Sequence, residues 1–102
     1  MFGARLRTNR PGHLLIIPYR HVADFFDATD AELAALLALV REAKTLLDGR
    51  FRPDGYNVGV NVGEAAGQTV MHLHLHVIPR YAGDVKDPRG GVRGAVPEKR
   101  VY

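Results

Sequence analysis

The residues best equipped for chemistry lie in one stretch, Gln68-Thr69-Val70-Met71-His72-Leu73-His74-Leu75-His76-Val77-Ile78-Pro79-Arg80. Three histidines alternate with Leu73, Leu75 and Val77. That alternation is the period of a β-strand, so His72, His74 and His76 project from one face and the apolar residues from the other. Three readings compete for such a row: a polar strand face satisfied by its neighbours, a metal site, and nucleophilic catalysis by imidazole. Histidine is the commonest metal ligand. Geometry works against a shared ion, because side chains two apart on a strand start about 6.5–7 Å from each other and the outer pair about 13 Å. Ligands on one zinc sit about 2.0–2.1 Å from it and must converge. Two of these histidines could do so, a third only with difficulty, and the triplet contains no cysteine or carboxylate.

Imidazole attacks well when neutral, provided a partner holds its other nitrogen as N–H. A row supplies a middle nucleophile with flanking groups to orient it. The preceding segment supports this reading, since Asn61, Gly63, Gly67, Gln68 and Thr69 fall in a short polar stretch between two apparent strands. Such a stretch can offer backbone N–H groups, amides and a hydroxyl to phosphate oxygens. An ordinary turn would explain it equally well alone; beside the histidines, a phosphate site is the better reading.

The pattern from His72 to Ile78 resembles the histidine triad superfamily of nucleotide hydrolases and transferases. The resemblance extends to Pro11-Gly12-His13-Leu14-Leu15-Ile16-Ile17-Pro18-Tyr19-Arg20-His21-Val22, which is similar to the family's second signature. Gly55 to Gly63 and Ala66 to Val70 look like its central strand and loop. Ile78-Pro79-Arg80-Tyr81-Ala82-Gly83-Asp84 is closer to the fragile histidine triad and dinucleoside polyphosphate hydrolase branch. The resemblance implies a double displacement. His74 attacks the α-phosphorus of a nucleotide, giving a nucleotidyl-histidine, and water then releases the mononucleotide. It implies that His76 stabilises charge, that His72 and His13 tune the network, and that Asn61, Gly67, Gln68 and Thr69 bind substrate. It implies a homodimer and no required metal or other cofactor, although magnesium can accompany a polyphosphate. A nucleotide-binding protein without turnover, or a histidine-based metal-binding protein, are the alternatives from other classes.

The rest of the chain must position these groups. A length of 102 residues and 46% hydrophobic content suit one small globular domain, residues 1–102, with a core over about 11–85 and an irregular tail at 86–102. The absence of cysteine removes disulfides and thiol chemistry and fits a reducing cytoplasm. No apolar run approaches the roughly 20 residues of a membrane span, and no signal-peptide core opens the chain. A net charge of +3 suits a small anion but is too diffuse to argue for nucleic acid.

Residues 1 to 10 are short and basic and read as no strand, so the family's N-terminal edge strands look missing. Where the family often holds ribose hydroxyls with Asp or Asn, this chain has Arg5, whose guanidinium has donors only. His13 opens the apolar run Leu14-Leu15-Ile16-Ile17, which Pro18 ends, as in a buried strand. His21 reads as a helix-entry residue. Val22 to Phe26 predicts a short helical turn with Phe25 and Phe26 inward. Thr29-Asp30-Ala31-Glu32 is a capping box opening a long helix. Its stripe is Leu33, Leu36, Leu37, Val40 and Leu47, and Asp48-Gly49 marks its end. Tyr56 to Val62 alternates as a strand, with Asn57, Gly59 and Asn61 on one face; Asn57 reads as a plain sheet-face residue. In the basic tail, Asp87-Pro88-Arg89-Gly90-Gly91 and Pro97-Glu98-Lys99-Arg100 show no periodicity. Arg89 or Arg93 folding over the site to meet phosphate is the functional alternative there. The predicted fold is α+β, an antiparallel sheet of strands near 13–18, 56–62 and 70–78 backed by one long and one short helix.

Overall fold

Helix α1 (Asp30–Phe51) starts at the capping box. The computed structural model describes residues 4–10, 12–96 and 98, so Pro11 of the second signature and Pro97, Lys99 and Arg100 of the tail lie outside the described residues. Thr29 Oγ1 accepts from the Glu32 N–H at 3.1 Å, and Glu32 Oε1 accepts from the Thr29 N–H at 2.8 Å. Arg20 forks onto the same carboxylate through Nε and Nη2 at 2.9 and 2.8 Å. Its guanidinium, helped by the Thr29 backbone N–H, holds the Glu32 carboxyl at about 2.

The helix runs past Asp48-Gly49 to Phe51 and stops where Arg52 turns left-handed, at φ 50°, just before Pro53. Asp48 is not a stop signal. It accepts from Tyr56 Oη at 2.6 Å and from Lys44 Nζ at 2.7 Å, tying helix to sheet. The buried line is Leu36, Leu39, Ala43 and Leu47, with Leu33 and Val40 at its margin. Leu37, expected in that stripe, is 64% exposed, because helical rotation carries it off the line that Leu36 and Leu39 occupy.

The sheet has four antiparallel strands, β1 (Ala4–Arg10), β2 (His13–Pro18), β3 (Gly55–Gly59) and β4 (Leu75–Arg80), in the order β1-β2-β4-β3. The basic N-terminal segment is an edge strand pairing along β2, with Ala4 buried and Leu6 against the core while Arg5 faces solvent. That alternation is too short to be read without its partner ladder. β4 begins only at Leu75 and β3 ends at Gly59, so His72, His74 and Asn61 stand on irregular backbone. Burial still alternates through the histidine row, with Leu73, Leu75, Val77 and Pro79 buried and His72, His74 and His76 half-buried.

Helix α1 covers the face carrying Leu14, Ile16, Leu75 and Val77, packing on β1, β2 and β4. Asp24 caps a 3-10 turn at Phe25–Asp27 by accepting the Phe26 N–H. Phe25 reaches the core. Phe26, also expected inward, is 79% exposed and meets Phe25 edge-on instead. The tail is less irregular than expected, since Gly91–Ala95 forms a 3-10 turn beside β3. No helix among the described residues is long and apolar enough to cross a membrane.

Candidate functional site

Strand register decides which side chains share the uncovered face. Leu15 and Gly59 pair with His76 on either side, and Asn57 pairs with Ile78. Directly paired residues point the same way, so His76 and Ile78 stand opposite the helix, with Gly59 leaving space beside the imidazole.

His74 is oriented by its own backbone. Its Nδ1 lies 2.9 Å from the His72 carbonyl oxygen, which can only accept. Nδ1 therefore carries a hydrogen, which makes Nε2 the nitrogen that can hold the lone pair. His72 is fixed likewise: Nε2 donates to the Pro18 carbonyl at 3.2 Å, and His21 packs on the ring with centroids 4.7 Å apart. His13 Nε2 and His76 Nδ1 share a hydrogen bond of 3.0 Å. The three rings His74, His76 and His13 form a row with centroid spacings of 5.1 and 5.2 Å. Burial pushes the His76 imidazole below its usual value, and the neighbouring His74 and His13 add to the effect. The lowered value favours the neutral form of this middle ring, which carries one N–H and one bare nitrogen. Such a row can present a bare nitrogen beside a proton relay.

The loop before the row is held by Gln68, whose side chain is 2% exposed. Its Oε1 accepts the Gly63 N–H at 2.8 Å, and its Nε2 donates to the carbonyls of Ala23 and Val70 at 2.6 and 3.1 Å. Expected to grip phosphate, Gln68 instead spends its amide on the loop backbone. Leu73 N–H bonds Val22 O at 2.8 Å and closes the other end. Thr69 is exposed on this loop, as are Asn61 and Gly67, which is left-handed at φ +97°. A Cβ on Gly67 would lie 4.0 Å from Asn61 Nδ2, so these two expected binding residues are neighbours.

A cavity of about 370 Å³ opens against His13 and His76 and is bounded by Asn57, Gly59, Asn61 and Val92. His72, His74, Gly67, Gln68 and Thr69 lie outside its lining. Sequence reasoning missed Asn57, Ile78 and the Gly91–Val92 wall. For Asn57 the signal was present, because it shares the strand period of Gly59; the tail gave no such pattern. Arg89, one candidate for phosphate, pairs with Asp87 at 3.0 Å. Among the described residues no group of His, Cys, Asp or Glu is arranged to hold a metal ion.

The HIT domain family model matches residues 5–83. Over 75 residues the chain is 47% identical to an AP-4-A phosphorylase of Mycobacterium tuberculosis, covering 72% of this chain and 38% of that protein. It is 40% identical over 82 residues to an asymmetrical bis(5'-nucleosyl)-tetraphosphatase of Schizosaccharomyces pombe, covering 80% of this chain and 45% of that one. It therefore spans less than half the length of these curated relatives. The crystal structure of the Caenorhabditis elegans NitFhit protein superposes with a TM-score of 0.71 at 32% identity, covering 96% of this chain and 24% of that one. A family match over most of the chain, the shared α+β fold and the imidazole row agree: the chain belongs to the HIT domain family.

Proposed function

We propose that this chain transfers or hydrolyses the nucleotidyl group of a dinucleoside polyphosphate or related nucleotide conjugate, with His74 as nucleophile. The observation that carries the reading is the 2.9 Å bond from His74 Nδ1 to the His72 carbonyl, which leaves Nε2 bare. Nε2 bonds to the α-phosphorus as the P–O bond to the rest of the substrate breaks, and the departing oxygen takes the electron pair. The nucleotidyl-histidine is then opened by water or by inorganic phosphate. The relatives' names support both acceptors, one being a phosphorylase and the other a tetraphosphatase.

His76, as a neutral N–H donor relayed through His13, stabilises the developing charge on a phosphoryl oxygen. His72 and Gln68 hold the backbone that aims His74, and the nucleotide-binding role is assigned to Asn61, Gly67 and Thr69. The homodimer implied by the resemblance belongs to the same reading and is checked by sedimentation.

The test is to incubate the protein with diadenosine tetraphosphate labelled in the α-phosphate, quench, and map the label. It should sit on His74. Unlabelled inorganic phosphate should shift the product from AMP towards ADP if phosphate is the acceptor. Turnover that survives His74→Ala, or label on another residue, would overturn the assignment.

A further inference from the structure

We infer that Asn57 binds the departing part of the substrate and sets selectivity for it, with Arg80 as its positioning residue; this rests on the nucleotidyl-transfer reading above. Arg80 Nη1 donates to Asn57 Oδ1 at 2.6 Å. A guanidinium has donors only, so the atom facing it must be the amide oxygen. Arg80 is itself gripped by Asp84, with Nε and Nη2 donating to two carboxylate oxygens at 2.7 and 2.8 Å. The amide is thereby locked, and its NH₂ points away from Arg80.

That NH₂ lies where Gly91 passes, since a Cβ built on Gly91 would come within 3.1 Å of Asn57 Nδ2. Gly91 has φ +50° and no side chain, so it passes close beside the donor, and both residues line the same cavity. The same cavity touches His76 and His13 but not His74. In-line displacement puts the attacking nitrogen and the departing oxygen on opposite sides of phosphorus. The cavity beside His76 and His13 offers the departing group room on the side of the row away from His74. An oriented amide donor there suits an anionic, oxygen-rich leaving group such as a nucleoside polyphosphate.

The experiment compares kcat/KM for diadenosine tetraphosphate, whose departing group is large and anionic, with that for adenosine 5'-phosphoramidate, which releases only ammonia. In Asn57→Asp the second carboxylate oxygen replaces the NH₂ and repels the polyphosphate. The ratio of the two kcat/KM values should fall about 30- to 100-fold, chiefly through KM for the tetraphosphate. Asn57→Ala removes the donor without adding charge and should lower the ratio about 5- to 10-fold. Thermal unfolding of both variants confirms that they fold. A ratio within about threefold of the parent in both folded variants overturns the inference while leaving nucleotidyl transfer intact. A parent protein that turns over neither substrate overturns both.

Discussion

The two faces of the sheet are built from the same strands and do opposite work. On the helix side Leu14, Ile16, Leu75 and Val77 are buried under α1 and close-packed. On the other side the alternate residues, His13, His76 and Ile78, line an open cavity. One strand period thus ties rigidity to chemistry, because a residue anchored inward fixes its neighbour outward. Substitutions on the helix side should therefore act on stability and those on the open side on turnover.

The largest effect is expected at the row. His74→Ala should lower kcat/KM for a dinucleoside polyphosphate by more than about 10⁴-fold, as loss of a nucleophile does, while the denaturation midpoint moves little. A large loss of stability with it would show that the two faces are not separable. On the helix side, Ile16→Ala should cost about 2–5 kcal/mol in urea unfolding, because the side chain is fully buried. Its activity per folded molecule should change far less than that of His74→Ala. Thr29→Ala removes one half of the capping box and should cost about 1 kcal/mol, with no effect on KM.

The gentlest test joins both faces through pH. The His76 imidazole is lowered in the folded state, first by burial and then by its histidine neighbours. The unfolded chain therefore takes up this proton at a higher pH, about 6.5, than the folded one. Stability from this group is complete above about 6.5, declines as pH falls through the lowered folded value, and then levels off. Substituting His76 by Asn should remove that slope from a plot of unfolding free energy against pH. A slope unchanged in the variant would assign it to other groups.

Much of this was legible in the residues. The alternation from His72 to Val77 gave the alternating burial of the histidine row, Thr29 and Glu32 gave the helix start, and the wider motifs gave the family. Leu37 and Phe26 were misread because composition says that a residue is apolar but not which way its element turns. β1 was missed because a short strand of Ala, Leu and Arg gains its conformation from a partner ladder rather than from its own propensity. Gln68 was misread because an amide suits a phosphate or a backbone carbonyl equally well, and only the fold of the loop chooses.

The chemistry on offer is written in the residues alone, since imidazoles at every second position and a capped amphipathic helix are local patterns with local causes. Tertiary structure alone decided the deployment. The His72 carbonyl bonds His74 Nδ1, the Arg80 fork turns Asn57, and Gly91 from the tail closes beside it. Such contacts depend on strand register and loop closure across the chain, which no local period encodes.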